Sequence, residues 1–378
     1  MLSRRDFLKN TALLGAAVTL MPDKLLFSMS NKPHKNKKMV LKFAPYDLQL
    51  KHVFTIAKNS RTHTPVVLTQ IEYDGIIGFG EASMPPYLGE TQESVMNFLK
   101  KVDLSKYESP FELEKILNDI DKIEPGNKAA KASVDIALHD LVGKLLNKPL
   151  WQIWGFDSNT TPNTSFTIGI APTEEEIIQK TKEASEFKIL KIKIGKDEAS
   201  DRLMVNSIRK VTDVPICVDV NEGWKDKNQA LDFIHWLKEK GCVFVEQPMH
   251  RDKIDDIAWL TENSPLPTIA DEAFQRLEDL KKCYKVYSGI NIKLMKSTGL
   301  REALKMLFTA KALDLKVMIG CMTETSCAIS AASQLAPMCD WADLDGALLI
   351  KNDKFSGMKV INGKVTLNNL PGIGVKPL

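Results

Sequence analysis

The chain is expected to fold as an α/β protein, a (β/α) barrel of TIM type preceded by an N-terminal α+β capping domain. Three observations lead there. Short apolar, β-rich runs recur at even spacing through most of the 378 residues. Amphipathic stretches such as "EEEIIQKTKEASEF" and "NQALDFIHWLKEKG" separate them. The region before the first such run instead reads as a hairpin followed by helical stretches.

Residues 1 to 38 stand apart as a leader and linker. "MLSRRDFLKNTALLGAAVTLM" sets Arg4 and Arg5 ahead of Phe7, Leu8 and Lys9, then an apolar run from Thr11 to Met21 that is short for a bilayer span. It resembles a twin-arginine export signal, which implies a periplasmic protein with no stable membrane insertion. The alternative is a basic start followed by a short helix, which leaves the protein cytoplasmic.

The capping domain is assigned to residues 39–125. In "TPVVLTQIEYDGIIGFGEA" two strands flank an Asp74-Gly75 turn. "ESVMNFLKKV" is helical in period, and "SMPPYLGET", Ser83 to Thr91, is a Pro/Gly-punctuated loop able to cover something. The helix "KAAKASVDIALHDLVGKLLNK" opens the barrel domain, residues 126–350, and residues 351–378 return to the cap.

Composition narrows the function. A net charge of +3, with four lysines in "KPHKNKK" of the leader, gives nucleic-acid binding no support. The six cysteines contain no CxxC pair and sit in apolar surroundings, so they read as free buried thiols rather than a zinc site or disulfide framework.

The eight barrel runs are "SFTIGI", "ILKIKIG", "PICVDVN", "CVFVEQP", "PTIADE", "GINIKL", "KVMIGC" and "DWADLDG". Taking Thr167, Lys193, Asp219, Glu246, Asp271, Lys293, Cys321 and Asp345 as the polar residues near their ends, successive separations run from 22 to 28 residues, the length of one βα unit. Eight such units favour a closed parallel barrel, whose active site lies at the C-terminal ends of the strands.

In "ILKIKIG", Lys191 and Lys193 share one face by period two. An edge strand would leave them in water. A barrel strand is buried on both faces and turns them inward. Asp219, Glu246 and Asp271 then end three consecutive strands. Any one of them reads equally well as the cap of the next helix. All three converging require a cation, and oxygen-only ligation points to Mg²⁺ or a similar hard ion. Lys293 ends the sixth strand, diametrically opposite the second. Two ammonium groups facing each other across a bound ligand suit proton transfer at a carbon next to a carboxylate, with the enediolate stabilised by the metal. Burial and like charge are expected to lower the lysine pKa values, with Lys191 steadying the ligand carboxylate beside the base Lys193.

These spaced motifs, from Val40 to the C-terminus, resemble the enolase superfamily, in particular its muconate-lactonising subgroup. The resemblance implies an enolase-like modified barrel, one Mg²⁺ per subunit held by Asp219, Glu246 and Asp271, and Lys193 and Lys293 as the catalytic bases. It also implies a homo-oligomer. "ADLDG" resembles dipeptide epimerases of the L-Ala-D/L-Glu type, in which Asp343 and Asp345 bind the α-ammonium of the dipeptide. Two carboxylates away from the metal do ask for a cationic group, although structural pairing with Arg or Lys is the alternative. By the same resemblance "GCMTETS" cradles the dipeptide backbone through Cys321 and Thr323. Glu324 is expected to orient Lys293 or to be a solvated loop acid, with Asn221 also in a supporting position. Arg61 of the cap would hold a distal carboxylate, and Thr167 would line the pocket.

The function expected is a Mg²⁺-dependent dipeptide epimerase, acting on L-Ala-D/L-Glu in murein peptide use. A cycloisomerase or an o-succinylbenzoate synthase-like lyase is the alternative on the same scaffold. A catalytically silent exported peptide-binding protein is the alternative of a different class.

Overall fold

A computed structural model describes residues 38–378 except 57, 58 and 85. The export-like arginine pair and apolar run lie outside the described residues.

Three antiparallel strands open the chain: β1 (Val40–Ile56), β2 (Asn59–Tyr73) and β3 (Ile76–Ser83). Asp74 and Gly75, at φ 54° and 77°, form the tight turn that joins β2 to β3 in register from Tyr73 and Ile76 onward. The sheet lies on the helix Lys128–Leu145 without side chains between them at two points. A Cβ on Gly78 or Gly80 would stand 2.1 or 2.0 Å from the carbonyl oxygens of Ala137 and Ser133. That close approach explains why "GFGEA" carries glycines in a strand. The helix is enclosed all round, buried from Ala129 to Gly143, because the cap covers one side and the barrel another.

The barrel strands are β4 (Phe166–Ile168), β5 (Leu190–Lys193), β6 (Ile216–Asp219), β7 (Cys242–Glu246), β8 (Thr268–Ala270), β9 (Gly289–Lys293), β10 (Lys316–Gly320) and β11 (Trp341–Asp343). They pair in sequential order, all parallel, and a Thr164–Ala342 bridge joins the last strand to the entry of the first. Lys193 sits beside Asp219 and Asp219 beside Glu246, while Gly320 lies between Lys293 and Asp343. Register therefore sets the charged residues at one level. Below them the barrel is closed by Cys217, Phe244, Ile269 and Met318, with Phe244 and Trp341 rings 4.7 Å apart.

Eight strands match the expected count, but the helices are unequal. After β8 there is only the short turn pair Leu277–Asp279 and Leu280–Cys283, and after β11 only the turn Gly346–Leu349. The shortest spacing in the sequence, between Asp271 and Lys293, falls where the helix is reduced. The chain then leaves the barrel and returns to the cap: Lys351 N–H donates to Gln49 O at 2.8 Å and Tyr46 Oη to Asn352 O at 2.8 Å. Among the described residues no helix is long and apolar enough to cross a membrane.

Candidate active site at the barrel mouth

Period two on β5 carries both lysines inward, as the parallel sheet requires. Lys191 Nζ lies 2.6 Å from Glu246 Oε2, 2.8 Å from Asp343 Oδ2 and 3.1 Å from Asp219 Oδ2. Lys193 Nζ donates to the same Asp219 oxygen at 2.6 Å. Across the ring Lys293 Nζ donates to Asp271 Oδ2 at 2.7 Å. Lys193 and Lys293 are only 8% and 6% exposed, so the site is nearly closed to solvent.

The three strand-end acids converge. Asp219, Glu246 and Asp271 are buried and offer ligand atoms within 4.8 Å of one another. Burial works against the charge of Asp219, yet the Lys193 and Lys191 ammonium groups hold its pKa down at about 2. Burial and then the Asp219 charge push Glu246 up to about 7. Glu246 Oε2 has no well-directed hydrogen bond despite the nearby Lys191, while its Oε1 accepts from Asn291 Nδ2 at 2.7 Å. An all-oxygen, triply acidic, buried set with an orphaned carboxylate oxygen fits a hard divalent cation.

The expected lowering of lysine pKa does not hold for two of them. Burial opposes the charge on Lys191, but Asp343, Glu246 and Asp219 outweigh it and hold the pKa well above normal. For Lys293 burial is likewise outweighed, chiefly by Asp271. The physical reason is contact: these lysines are counter-ions to the acids, and opposite charges at 2.6 to 2.8 Å exceed the cost of burial.

Asp343 and Asp345 are both buried near the end of β11. Asp343 receives Lys191 and the Ser165 hydroxyl, the latter at 2.7 Å, so its charge is largely committed. Asp345 accepts the Thr167 backbone N–H at 2.6 Å, and burial with the Asp343 charge pushes its pKa up to about 7. Thr167 thus meets the pocket through its main chain.

The cap closes the other side. Arg61 Nη2 donates to Thr323 Oγ1 at 3.0 Å across 262 residues of sequence, and burial lowers its pKa. The Thr323 carbonyl takes the Ser83 hydroxyl at 2.9 Å. Cys321 is half-buried beside them, its thiol pKa raised first by burial and then by Asp345 and Asp343. Glu324 is buried, so it is no solvated loop acid. It accepts the Met322 N–H at 3.2 Å and does not hydrogen-bond Lys293, which Asp271 holds instead. Asn221 donates to Glu272 Oε1 at 3.0 Å, and its own N–H reaches Asp219 Oδ1 at 3.1 Å.

Several side chains of the site are not evident from sequence. Lys296 grips Asp271 through both its carboxylate and its carbonyl. Asn291 steadies Glu246, and Tyr87 turns its hydroxyl inward to 4.0 Å from Met322 Sδ although the residue is 40% exposed. There burial, then the charge of Asp271, push the phenol pKa well above normal. The "LMK" after "NIK" is the available signal for Lys296, but it falls beyond the strand, where period two no longer applies.

The chain matches known families and proteins in sequence and fold. Residues 42–155 match the mandelate racemase / muconate lactonizing enzyme N-terminal domain, and residues 174–378 the enolase C-terminal domain-like family. The chain is 58% identical over 381 residues to an L-Ala-D/L-Glu epimerase of Bacteroides thetaiotaomicron, covering 99% of each. A substrate-liganded complex of the L-Ala-D/L-Glu epimerase from Bacillus subtilis superposes with a TM-score of 0.84 at 30% identity, over 90% of this chain and 98% of that one. A dipeptide epimerase from Enterococcus faecalis complexed with Mg and L-Leu-L-Tyr gives the same TM-score and identity, over 90% and 99%.

Proposed function

The chain belongs to the enolase superfamily, in its mandelate racemase / muconate-lactonising branch, and is an isomerase of the racemase and epimerase class; from that premise we propose that it is a Mg²⁺-dependent epimerase of dipeptides, acting on L-Ala-D/L-Glu, in murein peptide use. The observation that carries the mechanism is the pair Lys193 and Lys293, on β5 and β9, the second and sixth barrel strands, paired to Asp219 and Asp271 at the two ends of the acid set.

Asp219, Glu246 and Asp271 would hold a divalent cation, which would supply electrophilic stabilisation of a substrate carboxylate. Either lysine, as the free amine, takes the α-proton, the C–H electron pair passing into the carboxylate. The opposite lysine, as the ammonium, returns a proton to the other face, so the α-carbon is inverted without net gain or loss. Lys191, fixed among three carboxylates, stays charged and supports the acid ring rather than moving protons. Asp345, less committed than Asp343, is placed to take the α-ammonium of the first residue. Arg61, over the mouth, is placed for the second residue's side-chain carboxylate. A cycloisomerase or o-succinylbenzoate synthase-like substrate has no ammonium to offer the Asp343 and Asp345 pair.

Incubation of the Mg²⁺-loaded protein with L-Ala-L-Glu in D₂O, followed by NMR, is expected to show deuterium at the glutamate α-carbon and appearance of L-Ala-D-Glu. No exchange in any L-Ala-X dipeptide overturns the proposal. Lys193→Ala and Lys293→Ala should each stop inversion while preserving exchange on the face served by the remaining lysine.

A further inference from the structure

Lys193 ends β5, and its ammonium must be held at a fixed height to reach one face of a substrate carbon. The turn immediately after this strand is built for close contact. Gly195 has φ +98°, and a Cβ there would stand 2.3 Å from the Val220 carbonyl oxygen. Gly223, on the loop beyond Asp219, meets Gly195 in return, since its Cβ would be 2.3 Å from the Gly195 oxygen. The loops after β5 and β6 are therefore pressed backbone to backbone.

One buried side chain fastens this contact. Asp201, only 3% exposed, lies in the first turn of the helix Glu198–Arg209. Both its oxygens accept the Gly195 N–H, at 2.9 and 3.0 Å, and the Lys196 N–H and the Trp224 side chain lie close enough to favour its charge. Trp224 carries the restraint further. Its N–H donates to Pro248 O at 3.1 Å, just past Glu246, and its ring packs on Phe233 with centroids 5.6 Å apart. Nothing in the proton-transfer mechanism uses Asp201. A buried carboxylate that receives a loop N–H with both of its oxygens is a costly way merely to fill space.

We propose that Asp201 is a positioning residue for Lys193, clamping the Gly195 turn to the Trp224 loop so that the Lys193 ammonium is held against Asp219 at the height of the reacting carbon. The proposal rests on the two-base reading above. Among the described residues no direct hydrogen bond joins Lys293 to Gly195, Asp201 or Trp224: its ammonium donates to Asp271, and its carbonyl accepts the Lys296 and Ser297 N–H groups. Loss of the clamp must therefore damage one face of the reaction and spare the other.

The test is α-proton exchange in D₂O measured from each epimer separately, in the Mg²⁺-loaded full chain. Lys193→Ala and Lys293→Ala first assign each epimer to its lysine. Asp201→Asn is then expected to slow exchange on the Lys193 face by about tenfold to a hundredfold, the loss associated with a displacement near 1 Å, with the Lys293 face within about twofold of normal. In the same variant, amide hydrogen exchange at Gly195 and Lys196 should rise. Trp224→Phe, which keeps an aromatic ring against Phe233 and removes the indole N–H, should give a smaller loss on the same face and decides the matter if Asp201→Asn does not fold. Equal loss on both faces, no loss, or unchanged Gly195 and Lys196 amide exchange overturns the proposal. If the two lysine variants fail to divide the exchange, the two-base reading falls and this assignment with it. If they divide it and Asp201→Asn spares the Lys193 face, only the assignment falls.

Discussion

Lys191→Met tests whether the buried lysine and a divalent cation do the same electrostatic work. The lysine is 1% exposed and compensates three carboxylates at 2.6 to 3.1 Å. Methionine has similar length and leaves Asp219, Glu246 and Asp343 without that counter-ion. Removing one partner from a buried ion pair costs about 3–5 kcal/mol, because the remaining charge is stranded. In chelator the variant should therefore unfold at that much lower free energy, read from urea titration by circular dichroism. A divalent cation among the same acids restores positive charge, and the variant should bind it more tightly for want of a competing ammonium 2.6 Å from Glu246. A tenfold gain in affinity narrows the stability gap by about 1.4 kcal/mol in saturating Mg²⁺. A gap that stays constant or widens on adding Mg²⁺ refutes the reasoning, since Lys191 would then assist the cation rather than share its task.

Other expectations rest on neighbouring contacts. Glu81, fully buried, accepts the Thr325 N–H, the Thr325 hydroxyl and the Ala328 N–H at the start of the helix Ser326–Ser333, and burial pushes its pKa from 4.5 up to about 7. An acid raised on folding destabilises the charged native state above pH 7, and the penalty is relieved as pH falls through 7 toward 4.5. The wild type should therefore gain about 2.5 kcal/mol on Glu81→Gln between about pH 8 and pH 5, measured by urea unfolding, and no relative gain contradicts the assignment. Glu90 binds the Ala129 and Ala130 N–H groups at 3.0 and 3.3 Å, tying the Ser83–Thr91 loop to a helix whose own Asn127 provides no side-chain cap. Glu90→Ala should cost about 0.5–2 kcal/mol and raise KM more than it lowers kcat. Arg61→Met should lower kcat/KM for L-Ala-L-Glu by about tenfold to a hundredfold while sparing L-Ala-L-Leu, as loss of a charge-assisted bond predicts; equal loss on both substrates removes Arg61 from glutamate recognition.

How far the sequence can be read depends on how local the signal is. Lys191 and Lys193 turn inward from period two alone once eight evenly spaced strands imply a barrel, and the three acids come from equivalent strand positions. Arg61 and Thr323 cannot be joined that way, since their contact spans cap and barrel and depends on how the hairpin seats on the helix Lys128–Leu145. Even spacing also suggests equal helices, whereas β8 and β11 are followed only by short turns. The sign of the lysine pKa shifts is missed for a similar reason. Burial is legible in a sequence pattern, but the 2.7 Å contact that outweighs it at Lys293 is not. Asp201 reads in sequence as an ordinary first-turn acid; only the fold turns it toward Gly195.

The charges at the mouth also constrain the order of binding. Among the described residues the carboxyl groups of Asp219, Glu246, Asp271, Asp343 and Asp345, with Glu272 beside Asp271, outnumber the four ammonium groups of Lys191, Lys193, Lys293 and Lys296 in a site almost closed to water. A substrate carboxylate entering that ring adds a further negative charge at low dielectric and meets no free cation, because each lysine there already has an acid within 3.1 Å. A divalent cation offsets the excess, so that the substrate carboxylate then has a cation to meet. Metal is therefore expected first and dipeptide second, with reciprocal tightening of the metal by dipeptide. Calorimetric titration of L-Ala-L-Glu should give no detectable heat in chelator and a saturable isotherm in Mg²⁺, and a metal titration should tighten when dipeptide is present. Equal dipeptide affinity with and without the cation would mean that the lysines are released to the substrate unaided, and that the acid ring is a scaffold rather than a metal site.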